Sequence, residues 1–235
     1  MYRSTLMESF FCLQALFYPR PCGACNGSLK RGENAVCTRC RVTLSRTDHF
    51  RYMGNAVEQL FYGRTMVHAA AAYYSFYKGG SVRQMVHRLK YGGRQDIGQF
   101  AGRLIGEELK RHERFAGIQA VVPVPLHVSR QRKRGYNQAA CIAEGISEAS
   151  AIPHFPEVLV RRYASETQTD KSRFGRSGNV SGLFEVSSLH QAEGLHVLLV
   201  DDVITTGATL IACAEALLHA GCKRISVVAM AAATR

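Results

Sequence analysis

Two adjacent carboxylates and three hydroxyls fall within nine residues, Asp201-Asp202-Val203-Ile204-Thr205-Thr206-Gly207-Ala208-Thr209, a spacing suited to holding a sugar phosphate. Val197 to Val200 before them is a run of branched aliphatic residues, which reads as a buried strand. Leu210, Ala214, Leu217 and Leu218 after them recur at helical spacing as far as Gly221. The residues between therefore form a strand-to-helix turn. Such a turn aims the unpaired N–H groups and the positive end of the helix dipole above the sheet edge, where a phosphate is favoured. Thr205, Thr206 and Thr209 add hydroxyl donors, Gly207 lets the backbone approach closely, Ala208 completes the binding loop, and Asp201 and Asp202 are the candidate catalytic pair. Their oxygens suit ribose hydroxyls or the water shell of a hard divalent cation. The plainer alternative is two aspartates capping a helix and threonines closing a turn. The strand before and the apolar helix after favour the ligand site.

A second constellation lies near the start. Cys22-Gly-Ala-Cys25 and Cys37-Thr-Arg-Cys40 form two C-x2-C pairs separated by eleven residues. Two such knuckles supply four thiolates to a tetrahedral Zn2+ and leave no position for a reacting water, so the metal they imply is structural. Two disulfides or a redox site are the alternatives; the two matched pairs favour zinc. Cys12, Cys141, Cys213 and Cys222 have no such spacing and read as core or incidental thiols.

Other chemistries are excluded by what the motifs lack. No Gly-Lys-Ser/Thr follows a glycine loop, and no Gly-x-Gly-x-x-Gly is present, so neither a Walker A loop nor a dinucleotide fingerprint is available. The 46% hydrophobic content supports a real core, and the cysteine usage suits a reducing, cytoplasmic setting. The apolar run from Phe10 to Tyr18 is short and is followed by Pro-Arg-Pro, so neither a secretory signal nor membrane insertion is expected. Formal net charge is +12, gathered in residues 83–94, 130–134 and 161–176, where Glu166 and Asp170 are the only acids. This clustering suits a polyanion such as pyrophosphate or nucleic acid, against the alternative of solvated basic loops.

The elements that must position these groups alternate. Leu6, Phe10, Leu13 and Phe17 mark a short N-terminal helix. After the cysteine module and a connecting region, 67–77 reads as a strand, Val82 to Leu89 as a helix with Ser81 as N-cap, and 95–112 as a second helix. Strand 119–125, a basic loop from Leu126 to Gly135, a helix from about Tyr136 to Ala149 and a short strand 158–161 follow. The Ser-, Thr-, Gly- and Arg-rich stretch from Arg162 to Gly182 reads as a long loop of the kind that is either a functional lid or disordered. Strand 195–200, the helix after Gly207 and strand 225–230 complete an α/β pattern with a mainly parallel sheet and flanking helices. Residues 1–50 form the helix and cysteine module, and 51–235 the larger domain.

The acidic pair and threonine loop resemble the phosphoribosyl-pyrophosphate (PRPP) motif of type I phosphoribosyltransferases. With the four cysteines, Leu89-Lys90-Tyr91-x-Gly93, Pro123-Val124-Pro125-Leu126-His127, Arg134-Gly135-Tyr136-Asn137-Gln138 and Gln168-Thr169-x-x-Ser172-Arg173, the chain resembles the ComF family, which includes ComFC and GntX-like proteins. The resemblance implies a zinc-ribbon module and a phosphoribosyltransferase-like domain. It further implies that Thr205 to Thr209 hold the 5-phosphate and Asp201 and Asp202 the ribose hydroxyls, with Lys90, Arg130, Arg134 and Gly135 toward pyrophosphate and Mg2+ assisting. It also implies handling of single-stranded DNA during natural transformation, alongside other DNA-uptake proteins. The competing expectation is an enzyme that transfers ribose 5-phosphate from PRPP to an acceptor the sequence does not name. Tyr91, Tyr136, Tyr163 and Phe174 beside the basic stretches suit either base stacking or packing.

Overall fold

The computed structural model describes residues 20–77, 79–161, 183–187 and 192–233. The expected N-terminal helix, Cys12 and the lid 162–182, with Tyr163 and Phe174, lie outside the described residues. Four parallel strands form the main sheet: β1 (Ala69–Phe76), β2 (Ala120–Pro123), β5 (His196–Ile204) and β6 (Arg224–Ala233), in the order β1-β6-β5-β2. A separate antiparallel pair joins β3 (Leu159–Arg161) to β4 (Phe184–Val186). The helices are α1 (Thr38–Thr43), α2 (Ser81–Tyr91), α3 (Gln95–Arg111), α4 (Val128–Arg134), α5 (Gln138–Ser150) and α6 (Ala208–His219).

Strand alternation divides the core into two layers. Ala71, Tyr73, Val121, Leu198, Val200, Val228 and Met230 face one apolar cluster with α2, α3, α5 and the buried residues of the cysteine module. Ala70, Ala72, Val122, Val197, Leu199, Val227 and Ala229 face the other, with α6 and the β3–β4 pair. Both faces are covered, which is why these strands read as continuous apolar runs. The cysteine module is stitched to the sheet edge as well. Ser75 N donates to Ser45 O at 3.0 Å and Thr47 N to Tyr73 O at 3.0 Å, so residues 45–47 run along β1 and cover its outer side.

Helices α3 and α5 approach so closely that a side chain cannot fit between them. A Cβ at Gly102 would stand 2.1 Å from Ile142 O, and one at Gly145 would stand 2.1 Å from Gln99 O. Gly98, Gly102 and Gly106 recur every four residues and so share the face of α3 that meets α5.

Three expectations need correction. The basic loop after β2 contains α4, capped by the His127 side chain accepting from Ser129 N and ended by Gly135 at φ 79°. Helix α2 begins at Ser81 rather than after it, with Gly80 in the cap position and no side-chain cap. Strand β5 continues past Val200 to Ile204, because its ladder with β6 runs on through Asp201↔Ala229 and Ile204↔Ala232. Backbone pairing, which the polar side chains of Asp201 and Asp202 do not oppose, sets that boundary.

Candidate functional site: the carboxyl edge of β2 and β5

Because β2 and β5 are adjacent and parallel, with Pro123 beside Val200, the segments that leave them emerge at the same edge. A crevice outside the carboxyl ends of parallel strands is where open α/β sheets bind ligands. β5 delivers Asp201, Asp202 and the loop 205–209 there, and β2 delivers α4.

Asp202 is buried, and its Oδ2 lies 3.0 Å from Lys90 Nζ on the last turn of α2. Asp201 is half-buried, and its Oδ1 accepts from Asp202 N at 2.8 Å. Burial, then the adjacent Asp202 carboxylate, push the Asp201 carboxyl up to about 7, while the Asp202 N–H and Lys90 act in the opposite sense. Thr205, Thr206 and Thr209 are exposed, Gly207 is buried at φ 74° as the cap residue of α6, and Thr206 Oγ1 accepts from Ala208 N, the first N–H of the helix, at 3.5 Å. This left-handed conformation favours glycine, and a Cβ there would meet Leu60 at 3.4 Å. The loop is held from below by Arg64, whose Nη1 donates to Thr206 O at 3.0 Å and to Leu60 O at 3.2 Å. Arg64 lies in the unpatterned connecting region, so no sequence periodicity marks it.

The basic residues divide. Arg134 folds back, donating to Gln138 Oε1 at 2.6 Å with its guanidinium 5.3 Å from the Tyr91 ring centroid, while Arg130, Arg132 and Lys133 stand exposed on α4. Tyr136 OH donates to Leu89 O, and Asn137 Nδ2 to Val124 O at 3.0 Å, which ties the end of α4 to α2 and β2. Thus Lys90 meets the acidic pair, Arg134 and Gly135 close α4 beside α2, and Arg130 makes no such link among the described residues.

The four expected metal ligands converge away from this edge. The Sγ atoms of Cys22, Cys25, Cys37 and Cys40 all lie within 4.8 Å of one another, with Cys25 and Cys37 3.9 Å apart. Thiolates about 2.3 Å from a tetrahedral Zn2+ stand about 3.8 Å from each other, so the spacing fits the ion. Cys37 N donates to Cys22 Sγ at 3.3 Å. Burial opposes the Cys22 thiolate, yet N–H groups of Cys37, Cys25 and Ala24 outweigh it and bring the thiol down to about 7. Arg88, which sequence patterning does not single out, clamps the first knuckle: Nη1 donates to Cys22 O at 2.6 Å and to Gly23 O at 2.8 Å. Cys141, Cys213 and Cys222 are buried, in keeping with core thiols.

Residues 113–235 match the family model described as the phosphoribosyl transferase domain. The chain is 27% identical to Competence protein F of Haemophilus influenzae over 92% of this chain and 99% of that one. It is 31% identical to the DNA utilization protein YhgH of Escherichia coli over 61% of this chain and 63% of that one. It is 37% identical to Competence protein ComFC of Bacillus subtilis over 43% of this chain and 39% of that one. Among solved structures it resembles a B. subtilis glutamine PRPP amidotransferase, with a TM-score of 0.43 and 23% identity over 62% of this chain and 30% of that one. Its relatives thus include competence and DNA utilization proteins, and the chain belongs to the phosphoribosyl transferase domain family.

Proposed function

We propose that the protein binds PRPP at the carboxyl edge of β5 and acts on single-stranded DNA in the cytoplasm during DNA uptake, with other uptake proteins as partners. The observation that carries the PRPP reading is the Lys90–Asp202 pair beside an α6 N-terminus that opens on Gly207, with Thr206 Oγ1 as the hydroxyl on its first N–H at 3.5 Å. In this reading the N–H groups and hydroxyls of Thr205 to Thr209 take the 5-phosphate, and Asp201 and Asp202 accept from the ribose hydroxyls. Lys90, Arg130, Arg134 and Gly135 face the pyrophosphate. Mg2+, when bound, offsets pyrophosphate charge, and the two carboxylates supply the hard oxygen donors it requires. Zn2+ on the four cysteines holds the N-terminal module together. The names of the relatives and the basic stretches support the DNA reading.

A second reading, transfer of ribose 5-phosphate to an acceptor, is favoured by one observation. Burial and the adjacent Asp202 carboxylate raise the Asp201 carboxyl, the direction that a proton-exchanging carboxylate requires. Equilibrium binding of PRPP and of single-stranded DNA to one purified sample, separately and together, tests both. Binding of each ligand supports the proposal. No DNA binding at low salt, with pyrophosphate released from PRPP in the presence of an acceptor, replaces it with the transferase.

A further inference from the structure

Helix α2 carries Arg83, His87 and Tyr91 four residues apart, so they stand above one another on one face, and all three are exposed. The His87 and Tyr91 ring centroids are 5.0 Å apart, and Tyr91 is 63% exposed although it is a large aromatic residue. The Arg134 guanidinium lies 5.3 Å from the centroid of the same ring, and the His87 ring is tilted 47° to it rather than stacked on it. The far end of the stripe opens into a cavity of about 330 Å³ bounded by Gly79, Gly80, Arg83, Gln84, His87 and Arg88. A continuous strip of cation, imidazole, phenol and cation therefore runs along α2 and onto the end of α4.

Among the described residues, neither Arg83 nor Arg134 is ion-paired with an acid. No acid occurs from Gly79 to Gln95 or from Ala116 to Ala143. The nearest acids along the chain and at the site are already engaged: Asp96 by Arg94 at 2.7 and 2.8 Å, and Asp202 by Lys90 at 3.0 Å. Tyr91 also has no packing role that would account for its exposure, since the core side of α2 is filled by Val82, Met85, Val86 and Leu89. Cations that track a backbone around an aromatic face are the means by which proteins hold unpaired nucleic acid without reading its sequence.

We propose that this strip is the single-stranded DNA track, with Tyr91 as the stacking platform for a base and Arg83 and Arg134 as phosphate contacts on either side. The inference rests on the DNA-handling reading and names the surface that performs it. Arg83 and Tyr91 are about 12 Å apart along the helix, so the track is short, and the exposed cations of α4 continue it.

Fluorescence anisotropy of a labelled oligothymidylate, titrated with the full chain at several salt concentrations, tests the track. Tyr91→Ala is expected to weaken binding on the order of tenfold without changing the salt dependence, and Tyr91→Phe to restore it, because stacking needs the ring alone. Arg83→Ala is expected to reduce the slope of log affinity against log salt by about 0.7, with PRPP affinity unchanged. A wild type that binds the oligonucleotide while Tyr91→Ala and Arg83→Ala bind it equally well overturns the track and leaves the DNA reading standing. Equal affinity for duplex DNA overturns the stacking role, since paired bases offer Tyr91 no free face. No binding by the wild type at low salt overturns the DNA reading and the track with it.

Discussion

Lys90 Nζ stands 3.0 Å from Asp202 Oδ2, and two residues earlier on the same helix Arg88 grips the carbonyls of Cys22 and Gly23. The last turn of α2 thus touches the candidate ligand site with one side chain and the cysteine module with another. Lys90 is one-quarter exposed and Asp202 less, so removal of either partner leaves a poorly solvated charge. Lys90→Met is expected to cost about 1–3 kcal/mol of stability. Lys90→Met/Asp202→Asn should cost less than the two single changes combined, a coupling that a double-mutant cycle from urea unfolding measures.

The cysteine module should carry its own metal. Analysis of the purified protein is expected to find about one zinc per chain, and Arg88→Ala to lose it faster to a chelator, because the knuckle carbonyls lose their clamp. A Cys22–Cys25 or Cys37–Cys40 disulfide in fresh protein would contradict the metal assignment.

Gly145→Ala tests the packing of α3 on α5. The added methyl would meet Gln99 O at 2.1 Å and the Arg103 backbone N at 2.9 Å, and backbone cannot yield as a side chain does. A loss of more than about 2 kcal/mol is expected by thermal or urea unfolding.

His196 gives the fold a pH dependence at the end of β5 opposite the site. The side chain is buried, bonded through Nε2 to Ser226 Oγ at 2.9 Å, and burial, then His68 and Arg224, lower it to about 4 from an ordinary 6.5. The unfolded chain therefore binds a proton that the folded chain refuses between those values, so stability falls as pH drops from about 6.5 to 4. The loss is on the order of 3 kcal/mol for this group, and His196→Gln is expected to flatten that part of the stability curve.

Residues that carry both pattern and chemistry were legible in the sequence. The cysteine pairs, the acidic pair with its threonine loop, and the alternating strands and helices need only spacing and periodicity to be read. Helix α4 was not, since Val128 to Arg134 bury nothing and their helix is set by a histidine cap and a glycine stop. Arg64 and Arg88 act through backbone carbonyls distant in sequence, which leaves no local signature. The Gly98, Gly102 and Gly106 repeat was present, but only the proximity of α5 gives it meaning.

Calorimetric titration of PRPP with Mg2+ into the wild type and into Asp201→Asn/Asp202→Asn tests the central claim most directly. Both substitutions keep side-chain volume and an amide oxygen acceptor but remove the negative charge, so each charge-assisted hydrogen bond to a ribose hydroxyl weakens by on the order of 1–2 kcal/mol and the hard oxygen donors for Mg2+ are lost. The wild type is expected to bind, and the folded double variant to bind about tenfold to a thousandfold more weakly. Equal affinity in the two proteins, with unfolding curves that show both to be native, would contradict the placement of the site on β5.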